Sequence, residues 1–228
     1  MELKPTDYPV ENWLSRTTEA FPDCNAFTGL DHLSKAMVIS RILESAAKPS
    51  LLVFSTQADA RNAIDNILFF TSKNKAKDIH YIPPFEFDYY RGLLLSPEKL
   101  YERTVALYHL LNAPDGKIFV TTVASLLQKT FVPEEFLRAT HILKPNDEMD
   151  RDDFIKKLVE AGYQRQPTSL DPGTFSVRGG VVDIFCPLYP EPFRLEMFGD
   201  LIEEIRFFDP KSQLSQEKVE EVSIIPVG

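Results

Sequence analysis

The chain has 228 residues, 43% of them hydrophobic and 26% charged, which is globular composition with room for one large domain or two small ones. No apolar run approaches the length that spans a bilayer, and Met1-Glu-Leu-Lys-Pro-Thr-Asp7 lacks the basic-then-apolar order of a signal peptide, so a cytoplasmic protein off the membrane is expected. The net charge is −9, and residues 140–228 hold 10 basic against 17 acidic side chains, which argues against a phosphate-binding footprint there and for a protein partner.

In chain order, Val10 to Ala20 has helical apolar spacing and stops near Pro22. Asp31 to Ala47 reads as a second helix, with Asp31 as N-cap and Leu33, Met37, Val38, Ile42 and Leu43 on one side. Leu51-Leu-Val-Phe54 has the continuous apolar character of a central parallel strand covered on both faces. Thr56 and Gln57 open a helix to about Phe70. Ile79 to Ile82 is a strand ended by Pro83-Pro84. Ser96-Pro97-Glu98 starts a helix with a Ser cap and Pro at the first helical position, running to about Leu111. Ile118 to Thr121 is a further buried strand, followed by a short helix around Leu126. This alternation predicts a three-layer α/β domain with a mainly parallel sheet over residues 1–139.

From residue 140 the texture changes. His141 to Leu143 is a candidate strand, and Asp150 to Ala161 an amphipathic helix closed by Gly162. Asp171-Pro-Gly173 marks a turn, β-rich runs follow, and Val222 to Pro226 is a last strand. One helix on an antiparallel sheet defines an α+β domain over 140–228. Cys24 and Cys186 are far apart, with no His or Cys partner at ligand spacing. Reduced thiols and no metal are expected.

The most informative stretch is Thr174-Phe-Ser-Val-Arg-Gly-Gly-Val-Val-Asp-Ile-Phe185, followed by Phe193-Arg-Leu-Glu-Met-Phe-Gly-Asp200. Both are β-rich runs broken at glycines. Side chains alternate along a strand, so Phe193, Leu195 and Met197 suit a core, while Arg194, Glu196 and Phe198 share the outer face. An aromatic between charges on an exposed sheet is the kind of feature enriched at interface hot spots. Read from the residues alone, Phe198 could equally pack under the Gly199-Asp200 turn. Gly179-Gly180 permits a bulge or the close approach of another backbone, and a bulge would change the face that Arg178 presents. Asp183, Glu203, Glu204 and Arg206 read as solvated rim charges. The register beyond Asp200 stays open, because Ile202 and Ile205 do not alternate cleanly.

These residues closely resemble a module shared by the bacterial transcription-repair coupling factor and the excision-repair subunit UvrB. The resemblance implies that the module docks the repair protein UvrA, and that Arg178, Arg194 and Phe198 match UvrA-contacting positions, with Glu196 and Gly179 beside them. It covers most of the chain, more strongly from about Tyr81 onward.

A working phosphate loop needs Gly-x-x-x-x-Gly-Lys-[Ser/Thr]. Aligned on Thr28-Gly29 with the UvrB-type loop, Asp31 stands at the second Gly, His32 at the Lys and Leu33 at the hydroxyl residue. The carboxylate repels a triphosphate, the neutral imidazole replaces an ammonium poorly, and Leu cannot ligate Mg²⁺. No nucleotide, metal or other cofactor is therefore expected. The loss implies the coupling-factor branch, whose N-terminal module is non-catalytic and whose motor lies elsewhere. In that family the whole protein is an ATP-dependent DNA translocase that displaces stalled RNA polymerase. RNA polymerase and DNA are then partners of the remainder only, and the C-terminal part masks the docking face.

Tyr81-Ile-Pro-Pro-Phe-Glu-Phe-Asp-Tyr-Tyr-Arg91 is rich in aromatics, which can stack nucleic-acid bases. In UvrB the comparable region starts a long DNA-clasping hairpin. Too few residues separate Arg91 from Pro97 for that, so packing at the sheet rim is expected. Two other functions compete with the docking module. One is a UvrB-type nucleotide-dependent, DNA-binding helicase fragment. The other is a small-molecule enzyme, for which His32, His80, His109 and His141 assemble no catalytic constellation.

Overall fold

The computed structural model describes residues 29–44, 48–88, 93–94, 96–112 and 115–228. The expected helix over 10–20, and Cys24, lie outside these residues.

Asp31 caps the first helix, α1 (His32–Glu44), by accepting the Ser34 N–H on Oδ1 at 2.7 Å. Its packed stripe is Ala36, Ser40 and Leu43, with Val38 also buried. Leu33 and Ile42, expected inward, are exposed. Leu33 lies in the first turn, ahead of the first buried residue, and Ile42 projects about 120° around the helix from Ala36.

Strand β1 (Ser50–Phe54) leads through the Thr56 N-cap into α2 (Gln57–Phe70). A short α3 (Lys73–Ala76) and β2 (Ile79–Ile82) follow, then the paired two-residue strands β3 (Phe87–Asp88) and β4 (Leu93–Leu94). Next come α4 (Pro97–Asn112), β5 (Ile118–Thr122), α5 (Val123–Leu126) and α6 (Pro133–Ala139). The three long strands form a parallel sheet in the order β1-β5-β2. One face, with Leu52, Tyr81, Ile118 and Val120, packs on Ile39 and Leu43 of α1 and Ala60 and Ile64 of α2. On the other face Ala106 of α4 joins Ile82 and Phe119. That cover does not reach β1, whose Leu51 and Val53 are exposed. Among the described residues β1 is therefore an edge strand buried on one side, not the expected central strand. β5 holds the centre, with all five residues buried.

Beyond β6 (His141–Leu143), Asp150 caps α7 (Arg151–Glu160), and Gly162 follows with φ +93°. Six strands then form one sheet: β7 (Gln164–Arg165), β8 (Thr174–Arg178), β9 (Val181–Phe185), β10 (Phe193–Phe198), β11 (Leu201–Phe208) and β12 (Ser215–Lys218). The last strand, β13 (Val222–Ile224), pairs with β6 instead. The six-stranded sheet is antiparallel except for β7, which runs parallel to β8 because the 166–173 loop carries the chain back before β8 begins. Phe154 and Leu158 of α7 close a core with Phe175, Ile184, Phe193, Leu195 and Ile205.

Helix α4 serves both halves. Ala106 faces the parallel sheet, while Tyr101, Val105, Tyr108 and Leu111 pack against the core of the six-stranded sheet. Tyr108 Oη donates to Ser223 Oγ at 3.1 Å, and Tyr189 Oη accepts the Ser223 N–H at 2.7 Å. The result is a mixed α/β structure with one parallel and one mainly antiparallel sheet.

Candidate partner-docking face

Strand β10 alternates strictly. Phe193 and Leu195 are fully buried and Met197 nearly so, which turns Arg194, Glu196 and Phe198 to the opposite face. Phe198 is 76% exposed. It does not pack under the turn, where Gly199 has φ +62°.

The register settles the position of Arg178. Gly179-Gly180 is a tight turn between β8 and β9 with no bulge, so Arg178 pairs with Val181 and Ser176 with Asp183. Arg194 stands opposite Asp183 on the other side of β9. Arg178, Asp183, Arg194, Glu196 and Phe198 therefore share one face. Gly179 takes φ +59°, and its carbonyl accepts from Arg151 Nη1 at 2.9 Å. The close backbone approach belongs to Gly180, where a Cβ would meet the Met197 carbonyl oxygen at 2.5 Å. Of the two alternatives the glycines allowed, they take the close approach, and the bulge lies in β11. There Glu204 pairs with Glu196 and Ile202 with Met197, leaving Glu203 as the extra residue. This is why Ile202 and Ile205 are both buried without alternating.

Asp183 corrects a second expectation. It is not a solvated rim charge but a fully buried carboxylate. Arg194 grips it side-on, Nε to Oδ1 at 2.6 Å and Nη2 to Oδ2 at 3.0 Å. Arg178 Nη2 reaches the same Oδ2 at 2.5 Å. The hydrogen bond to Asp183 pushes the Arg194 guanidinium up from its ordinary pKa. The Arg194 guanidinium also lies 4.6 Å from the centre of the Phe208 ring. Gln213, in a left-handed conformation at φ 61°, offers Oε1 to both arginines at 3.5 and 3.4 Å. Asp183 and Gln213 were thus missed as members of the site. The usable signal was one carboxylate inside Val-Val-Asp-Ile-Phe185, since a charge in a buried β run needs partners.

Beside this cluster, Glu196 faces Glu204 across β10 and β11, a pairing that is unfavourable for like charges. Arg206 and Lys218 on Glu204 offset it. Glu203 is exposed, while Glu204 and Arg206 are half-buried.

The loop residues Gly29, Asp31, His32 and Leu33 lie at the start of α1, far along the chain from this face. Gly29 has φ +77°. The backbone hydrogen bond from Ser34 lowers the Asp31 pKa, so a carboxylate occupies the helix N-terminus where a phosphate would sit. Of the aromatic segment, Tyr81 to Pro84 are buried at the end of the parallel sheet. Phe85 lies over the guanidinium of Arg103, 4.7 Å from its ring centre. Tyr89 to Arg91 lie outside the described residues.

Among the described residues no group of three or more His, Cys, Asp or Glu could hold a metal ion. No helix among them is long and apolar enough to cross a membrane.

Comparison with known proteins defines the class first. Residues 142–228 match the UvrB interaction domain family, so the six-stranded sheet and its charged face are the body of such a domain. The chain is 34% identical over 203 residues to the transcription-repair-coupling factor of Myxococcus xanthus, covering 87% of this chain and 17% of that protein. It is 30% identical over 226 residues to the transcription-repair-coupling factor of Staphylococcus aureus strain MSSA476, covering 98% of this chain and 19% of that protein. These matches support an N-terminal module of the transcription-repair coupling factor type, and the chain spans less than a fifth of the length of these relatives.

Proposed function

We propose that the outer face of β8 to β10 docks UvrA, making this chain a non-catalytic module that recruits UvrA in transcription-coupled excision repair. One observation carries the reading. Phe198 is 76% exposed on a sheet face whose arginines are already ordered by a buried carboxylate. An exposed Phe beside ordered arginines on one sheet face has the composition of an interface hot spot, where aromatic and Arg side chains dominate. Arg178, Arg194 and Phe198 make up the residues on which docking depends, with Glu196 and the Gly179 turn at their border.

The reading divides the chain near residue 140, into a UvrB-like α/β part and a UvrA-docking part. The first retains the layering of a nucleotide-binding domain but has lost its loop chemistry at Asp31, His32 and Leu33, so it holds no nucleotide. With seven more acidic than basic residues in 140–228, the docking part binds double-stranded DNA weakly or not at all at physiological salt. Translocation on DNA and displacement of RNA polymerase fall to the rest of the full-length protein, in the cytoplasm.

The test is calorimetric titration of purified UvrA into this chain, beside the Phe198→Ala variant. Binding by the wild type that the variant loses supports the reading, and no binding by the wild type ends it.

A further inference from the structure

The two arginines of the docking face are not equivalent. Arg194 is only 15% exposed at its side chain, whereas Arg178 is 50% exposed. The Arg194 fork is spent inward, with Nε and Nη2 both on Asp183 and the guanidinium against Phe208. Arg178 commits only Nη2, to Asp183 and Gln213, while its Nε and Nη1 donors have no partner among the described residues. Two guanidiniums around one carboxylate leave one positive charge, and the exposed member presents it.

We infer that Asp183 is a positioning residue, and that Arg194 acts through it and not on the partner. Asp183 orients Arg178, which reads a carboxylate on the docked protein. The inference rests on the docking reading above and assigns the roles within it. Holding a long side chain in one rotamer before binding removes part of the ordering cost that association would otherwise carry. Arg178 is tethered at one nitrogen and so keeps its remaining N–H groups aimed outward. Arg194 holds the Asp183 carboxylate in place through two hydrogen bonds, which a single guanidinium shared with solvent would do less well. The recognised group is a single carboxylate and not a run of phosphates, because only one unbalanced positive charge stands on the cluster and the surrounding 140–228 segment is acidic.

A double-mutant cycle on UvrA affinity tests this. Arg178→Ala should weaken binding about tenfold or more. Asp183→Asn, which keeps the size and loses the charge, should weaken it by a similar factor while Arg178 is present. In the Arg178→Ala background the same change should matter by less than about twofold, since its only route to the partner is gone. A purely structural Asp183 would weaken both backgrounds equally, and that outcome overturns the inference, as does an unchanged affinity in Asp183→Asn alone. Should thermal melting show Asp183→Asn unfolded, Arg194→Lys takes its place in the cycle, because it retains a cation for Asp183 but not the side-on grip. Arg194→Lys must then also lose its effect without Arg178, and multiplying effects would place Arg194 on the partner. Phe198→Ala, outside the cluster, should multiply with every variant. If wild-type UvrA binding and the Phe198 effect hold while the cycle is additive, only the positioning role fails.

Discussion

Arg194 Nε and Asp183 Oδ1 are 2.6 Å apart across the β9–β10 pair, and Asp183 has no exposed surface. The pair is therefore part of the fold as well as of the face proposed to dock UvrA. Removing one partner of a buried ion pair strands the other charge in a medium that solvates it poorly. That typically costs about 3–5 kcal/mol. Arg178 remains on Asp183, so the lower end of that range, about 3 kcal/mol, is expected for Arg194→Ala. Arg178→Ala, at a half-exposed side chain, should cost about 1 kcal/mol or less. Denaturant unfolding of both variants checks the ranking, and equal losses would contradict it. Any UvrA-binding loss in Arg194→Ala must be measured where the variant is still folded.

Phe198→Ala should behave in the opposite way. The ring is 76% exposed, so its removal leaves the melting curve within about 0.5 kcal/mol of the wild type. UvrA affinity should fall by about 2 kcal/mol, the truncation cost of a hot-spot aromatic. Lys211→Ala, at an exposed turn residue, should change neither quantity. Unfolding of Phe198→Ala would show that the ring supports the core.

The start of α1 leads to a prediction about nucleotide. Asp31 is held ionised by the Ser34 backbone N–H, so an incoming phosphate meets a fixed negative charge at the helix terminus. Calorimetry should show no micromolar binding of ATP with Mg²⁺, and no ATP hydrolysis should accompany the folded chain. Micromolar affinity that disappears when residues 29–33 are altered would reverse this reading.

His80 makes stability depend on acidity. It stacks on His109 at 4.2 Å and on Phe119 at 5.6 Å between ring centres, where burial pushes its pKa from 6.5 down to about 4. The neighbouring His109 and Lys117 charges push it the same way. The unfolded chain therefore takes up this proton first on acidification. The stabilising contribution is complete above about pH 6.5 and is lost as pH falls toward about 4. His109 and His141 are lowered in the same direction by burial and add to the slope. Unfolding free energy measured from pH 7 to pH 4.5 should fall, and His80→Phe should flatten the fall. A slope unchanged by that substitution would exclude the stack as its source.

Gly173 reports on how the two halves are joined. It has φ +79°, and a Cβ there would lie 2.4 Å from Tyr101 Oη on α4. Gly173→Ala should lose about 1–2 kcal/mol from the left-handed backbone alone. The contact adds to that loss, and Tyr101→Phe in the same chain should restore part of the added portion. No recovery would mean that the backbone term is the whole effect.

Much of this protein follows from its sequence because the signals are local. The caps at Asp31, Thr56 and Asp150, the strands Ile79–Ile82 and Ile118–Thr122, and the alternation that sends Phe193, Leu195 and Met197 inward each depend on neighbours within a few residues. The UvrB-like motif from Thr174 to Asp200 is contiguous and legible for the same reason. Tertiary structure decided what depends on pairing across distance. A continuous apolar run does not say which faces of Leu51–Phe54 find cover, and α4 stops short of Leu51 and Val53. The bulge at Glu203 appears only once β10 and β11 are in register. Above all, Val-Val-Asp-Ile-Phe185 places a charge in a strand without naming its partners. Arg178 and Arg194 reach Asp183, and Gln213 reaches both arginines, only after separate segments fold onto one face, and that meeting turns Arg194 inward and leaves Arg178 half-exposed.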